Sequence, residues 1–157
     1  MPDHQPPKSV ADERTTLLAL LQFQRDSVLR KVAGVDEAAA RHSPVASGTT
    51  LLWLVKHLGR AECIWVEHRF ANVPMTVPDD TVTDDDTLST VVDGYRAVWA
   101  NTDAIVAAAS LEDECTNPDD NPHVNLRWIL MHLLEETARH AGHADILREL
   151  LDGATGR

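Results

Sequence analysis

Two cysteines in 157 residues, Cys63 and Cys115, are too few for a disulfide scaffold, and both read as reduced thiols. Long apolar runs are missing as well. No stretch approaches the ~20 residues of a membrane span. The opening MPDHQPPKSVADERTT lacks the apolar centre of a signal peptide. These absences direct the expectation to the cytoplasm, away from the membrane. Lysine is scarce, with three against eleven arginines, and 14 basic residues face 25 acidic ones for a net charge of −11. Nucleic acid binding rests on clustered Lys and Arg, and no such stripe exists here, so that partner class is excluded. The acidity serves solubility. Strand-like alternation and internal repeats are also lacking, which leaves helices as the building element.

What is present is helical periodicity. At 43% apolar and 25% charged, the chain has the composition of one globular domain. Residues 1–11 hold three prolines and little apolar content, and read as a loose arm ahead of a domain over 12–157. A helix is expected from Asp12 to a stop at Gly34, and a short helical turn within 35–48. A second long helix is expected from about Thr49 to Asn72, ended by Pro74 and Pro78, and a third over about 87–110. A fourth is capped by Asn125 and stopped after Leu151 by Gly153. Four helices joined by connections of some length predict an all-α, up-down four-helix bundle. The acidic connections 79–86 and 112–120 lack the alternating ligands, central glycine and closing glutamate of a calcium loop, and read as solvated.

Helix phase singles out a polar cluster. In EETARHAGHADILREL (135–150), His140 falls within the stripe of Leu126, Leu130, Leu133, Thr137, Ala144 and Leu147. Glu136 and His143, four and three residues away, border the same face. On the second helix, His57 flanks the Leu54/Leu58/Trp65 face. Inward side chains of facing helices can converge on one ion. His57 with two of Glu136, His140 and His143 would give three ligands and an open position, the pattern of a catalytic site. Imidazole with carboxylate suits Zn, Ni, Fe or Mn. His68 shares the face of His57 but lies some turns further on, and His4, His42 and His123 fall in solvated loops. Cys63 points away from His57 as a small core residue. Arg60 and Arg139 read as surface charge partners, and the four tryptophans as core or pocket wall.

TTLLWLVKHLGRAECIWVEHRF and MHLLEETARHAGHADILRELLDG resemble the DinB/YfiT-like superfamily, in its actinobacterial branch that includes mycothiol S-transferases. The resemblance spans about residues 14–155. The excess of Arg over Lys, the coding bias of a GC-rich genome, agrees with such a source. The resemblance implies a metal-binding four-helix bundle, usually with zinc or nickel, and zinc is the expectation here. It carries the second-helix ligand onto His57. The paired ligands of the last helix, commonly HxxxH before Gly-Gln, fall on Glu136 and His140 ahead of Gly142. Glu136 departs from the all-histidine pattern, although glutamate stands there in related mycothiol-dependent isomerases. His143, at the glutamine position, competes with it as third ligand. The implied function is detoxification by a metal-dependent S-transferase that joins a low-molecular-weight thiol, mycothiol, to a small electrophile through a metal-bound thiolate. No catalytic residue beyond the metal ligands is implied. The alternatives are a thiol-dependent isomerase, a metal-dependent hydrolase, or a non-catalytic metal-binding stress protein. A homodimer is compatible with the fold.

Overall fold

The structure is a computed structural model that describes residues 4–117 and 123–156. Residues 118–122, which take in the last three positions of the second acidic connection, lie outside the described residues, as do 1–3 of the arm and 157. The elements are α1 (Glu13–Val32), a short α2 (Glu37–Arg41), α3 (Leu51–Glu62), α4 (Leu88–Ala108) and α5 (Leu126–Asp152). A π-helical segment, Cys63–Phe70, continues α3. The described residues form no strand, only an isolated bridge between Glu114 and Asn125. The expected all-α bundle is thus present, and its helix ends lie close to where the caps and stops place them.

Each start has a local cause. Asp12, Asp36, Thr50, Thr87 and Asn125 each accept, through the side chain, a backbone N–H three residues on. Gly153 ends α5 at φ 74°, in the left-handed region that glycine enters freely. Asn72, at φ 50°, turns the chain out of the π segment. Two arginines finish helix ends that belong to other helices. Arg14 donates to the carbonyls of Val106 and Ala109 at the end of α4, both at 2.6 Å. Arg148 donates to those of Lys31 and Ala33 at the end of α1, at 2.8 and 3.0 Å. Such terminal carbonyls have no partner within their own helix.

These contacts also fix the chain path. Arg127 of α5 pairs with Glu13 of α1 at 2.6 Å, and Arg148 reaches Lys31, so α1 and α5 run parallel. Gly59 of α3 lies against Tyr95 of α4, and Glu67 accepts from Asn101, so α3 and α4 also run parallel to each other. The bundle therefore runs up, down, down, up, which corrects the up-down order expected from the sequence while leaving the all-α four-helix class in place. A parallel pair needs a return connection, and residues 71–87 supply it. They run back along α3 as a strap. Met75 lies by Cys63 at 3.5 Å, the Pro78 carbonyl accepts from Arg60 at 2.8 Å, and that of Thr81 accepts from Lys56 at 2.7 Å. The length of this connection was visible in the sequence, but its direction was not.

The core has two halves. One gathers Leu51, Leu54, Val55, Leu58, Tyr95, Ala144 and Leu147, and the other Leu21, Val66, Phe70, Leu126, Ile129, Leu130 and Leu133. Fully burying each leucine or isoleucine contributes about 1.5–3 kcal/mol. Between the halves sits a polar contact that periodicity did not indicate. Arg25, 1% exposed, forms a two-pronged ion pair with Glu62, also 1% exposed, and reaches Asp103 at 3.1 Å.

Candidate metal centre

His57 lies in the second turn of α3, and Glu136 and His140 lie midway along α5. The two helices run antiparallel here, because Trp65, two turns beyond His57, meets Trp128 and His132, which precede Glu136. At this crossing the Glu136 Oε1 atom stands 3.2 Å from His57 Nε2 and 3.1 Å from His140 Nε2. One donor atom from each of the three residues lies within 4.8 Å of the others. Donors about 2.0–2.1 Å from a tetrahedral zinc ion sit roughly 3.3 Å apart. The spacing and the chemistry of the donor set, two imidazole nitrogens and one carboxylate oxygen, fit a borderline divalent ion of this kind.

The surroundings hold the imidazoles in place. Asp80, on the strap, stands 2.8 Å from His57 Nδ1. In the tautomer that donates from Nδ1 to that carboxylate, His57 keeps at Nε2 the lone pair that a metal ion would take. His143 Nδ1 stands 3.2 Å from His140 Nδ1, and occupies the same outer position toward His140. The Trp53 indole, one turn before His57, stacks on its ring with centroids 4.6 Å apart and planes 18° apart. Trp53 also meets His140 edge-on at 6.2 Å, and the two histidine rings cross at 4.9 Å.

Electrostatics follow from this packing. Burial pushes the Glu136 carboxyl up, but hydrogen bonds and charge from His57 and His140 outweigh it and hold the group below its usual range. Burial lowers His140, against the opposing pull of Glu136, so its imidazole is held in the neutral form that a ligand requires.

The structure brings together His57, Glu136 and His140, three of the four candidates. His143 lies exposed on the far side of His140, outside the cluster. His68 does not share the face of His57 as a regular α-helix would demand, because the π segment turns the chain less per residue beyond Glu62. It meets Asn117 instead. His4, His42 and His123 are exposed. Arg139 pairs with Glu135 and with Glu136 Oε2, the latter at 3.5 Å. Cys63 is buried beside Glu67, and burial pushes its thiol up to about 11. The expectation of a solvated 79–86 loop is corrected at two positions: Asp80 reaches His57, and Asp86 pairs with Lys56 at 2.7 Å. No helical period marks a loop residue, so Asp80 carried no signal. Trp53 did carry one, being one turn from His57 on the same face.

The mycothiol S-transferase family model matches residues 16–153. The chain belongs to the mycothiol S-transferase family. The match takes in all four long helices and both halves of the donor cluster. Among solved structures, the crystal structure of a conserved protein from Enterococcus faecalis superposes with a TM-score of 0.70 at 17% identity. That superposition covers 92% of this chain and 100% of that one, and shows that the two share a fold. No curated protein matches the chain. Among the described residues, no helix is long and apolar enough to cross a membrane.

Proposed function

We propose that this protein is a metal-dependent S-transferase that joins mycothiol to a small electrophile, with His57 Nε2, His140 Nε2 and Glu136 Oε1 as the protein ligands of a divalent ion, zinc by preference. The observation that carries this reading is the convergence of those three donors on α3 and α5, within a chain of the mycothiol S-transferase family. A divalent ion bound there favours the thiolate of a coordinated thiol over the thiol. The protein's own part is positional. Asp80 and His143 stand against the outer nitrogens of His57 and His140, where they would favour the tautomers whose inner nitrogens offer lone pairs to the ion. Trp53 covers the His57 ring and keeps water from that side. Glu136 stays ionised and His140 neutral, which is the protonation state the ligand set needs.

The thiolate sulfur attacks the electrophilic carbon. A C–S bond forms, the bond to the leaving group breaks, and the leaving group departs with the electron pair. The thiol proton passes to solvent. The chain provides no nucleophile of its own at the cluster, since Cys63 is buried on another face and its thiol is protonated at neutral pH. Product analysis with mycothiol and a model electrophile tests the reading, using protein as purified, chelated, and reloaded with zinc. Conjugation should be lost on chelation and return with zinc. Conjugation that survives complete removal of metal overturns the mechanism.

A further inference from the structure

The strap of residues 71–87 is held by few apolar contacts. None of residues 72–87 is buried, and Met75 and Val82 are the only half-buried apolar side chains among them. Polar contacts hold the strap instead. Arg60 donates to the Pro78 carbonyl, Lys56 binds Thr81 and Asp86, Arg41 donates to the Thr83 carbonyl at 3.1 Å, and Asp80 meets His57. Segments with so little buried apolar surface open at far less cost than unfolding the domain. Beneath the strap, between α3 and α4, lies a cavity of about 270 Å³. Val55, Val91, Tyr95 and Val98 wall it from the helices, Cys63 also lines it, and Pro78 and Asp79 close it from the strap.

One of the strap's contacts responds to metal. A neutral imidazole carries a single N–H. His57 turns its two nitrogens to two carboxylates, Nδ1 to Asp80 at 2.8 Å and Nε2 to Glu136 at 3.2 Å. A neutral ring can donate to only one of them. With the N–H at Nε2, His57 donates to Glu136 and turns a lone pair toward the Asp80 carboxylate. An ion that takes the lone pair of Nε2 ends this competition, because the N–H then stands at Nδ1, toward Asp80.

We propose that the strap is a lid over the α3–α4 cavity, and that a metal ion at the donor cluster holds it shut through the contact of Asp80 with His57. The inference rests on the metal-site reading and adds a conformational consequence to it. Linkage makes the effect reciprocal: the factor by which the closed strap raises metal affinity is the factor by which metal favours closure. An outer partner of a ligand, partly exposed like Asp80, is worth about 10–30-fold in affinity. Metal should therefore lower the population of the open strap by about 10–30-fold. The contacts of Lys56, Arg60 and Arg41 do not involve the donors, so the strap rests closed with or without the ion and only its opening becomes rarer.

Cys63 reports the opening. It is 4% exposed, lines the cavity and stands 3.5 Å from Met75 of the strap, so iodoacetamide gains access when the strap lifts. The slow alkylation of Cys63 at pH 8 is followed by mass spectrometry in wild type and Asp80→Ala, each metal-free and across a zinc titration, with bound zinc counted in every sample. In wild type, zinc should slow alkylation by about 10–30-fold, and the protection should level off once the site is full. In zinc-saturated Asp80→Ala, protection should stay within about twofold, because the ion is bound but the link to the strap is gone. Protection that keeps rising with free zinc reports general stabilisation of the bundle, and overturns the proposal. Equal protection in Asp80→Ala also overturns it. Zinc bound to wild type with alkylation unchanged overturns the lid and leaves the metal site standing. Wild type that binds no zinc overturns the metal-site reading, and the coupling with it.

Discussion

Replacing Asp80 by alanine should weaken metal binding without unfolding the strap. The Asp80 carboxylate accepts from His57 Nδ1 at 2.8 Å, and that hydrogen bond sets the tautomer and the ring angle of a proposed ligand. Removing such an outer partner costs about 10–100-fold in metal affinity, or about 1.4–2.7 kcal/mol. The Asp80 side chain is 25% exposed, so water can take over part of its role, and the expected loss is in the lower half, about 10–30-fold. The strap itself should stay in place. Arg60 still donates to the Pro78 carbonyl, and Lys56 still holds the Thr81 carbonyl and the Asp86 carboxylate. The metal-free melting temperature should therefore move by only about 2 °C, as expected for a change of roughly 0.5 kcal/mol at a partly exposed site. Competition with a chelator of known zinc affinity measures the effect. Asp80→Asn, which keeps an acceptor, should recover part of the loss, and His57→Ala should bind far more weakly than either. Zinc affinity in Asp80→Ala within about twofold of wild type would refute the idea that the strap orients His57.

Three further outcomes follow from the packing. Glu62→Ala strands the Arg25 guanidinium in the core and should cost about 3–5 kcal/mol in denaturant unfolding, whereas Arg25→Met combined with Glu62→Leu should recover most of it. A double variant as unstable as the single one would contradict that account. With its thiol near 11, Cys63 is thiolate only to about one part in a thousand at pH 8, and reactivity appears only as pH rises toward that value. Mass spectrometry should find Cys63 unmodified by iodoacetamide in the native protein and modified after denaturation; rapid native labelling would show that the thiol is not held as described. Asn125→Ala removes the side-chain acceptor for the Trp128 N–H at the start of α5 and should cost about 1 kcal/mol, read as a lower denaturant midpoint. An unchanged midpoint would mean that water replaces the cap fully.

The helices were legible in the sequence because their signals are local. Thr50, Thr87 and Asn125 cap, Gly153 stops, and the leucine spacing sets the buried faces. The donor cluster was legible in part for the same reason: helix phase put His57, Glu136 and His140 on bordering faces, and the structure brings their donor atoms together. Phase could not rank Glu136 against His143, since both border the stripe; the contact across to His57 separates them. What stayed hidden depends on contacts distant in sequence. The direction of the 71–87 strap, and with it the contact of Asp80 with His57, follows from packing against α3. His68 lies outside the cluster, as its distance along the helix led one to expect, but the π segment that breaks the helical phase between His57 and His68 is announced by no residue between Cys63 and Phe70. Nothing local in the sequence marks Arg25 as buried; only Glu62, 37 residues away, makes its burial tolerable.

Metal content tests the central claim most directly. Protein purified without an affinity tag should be analysed for transition metals beside His57→Ala, His140→Ala, Glu136→Ala and His143→Ala. If His57, His140 and Glu136 are the ligands, wild type carries about one divalent ion per chain, His143→Ala keeps most of it, and the other three variants lose it. Equal metal in all five proteins would contradict the site, and loss in His143→Ala with retention in Glu136→Ala would reverse the assignment of the third ligand.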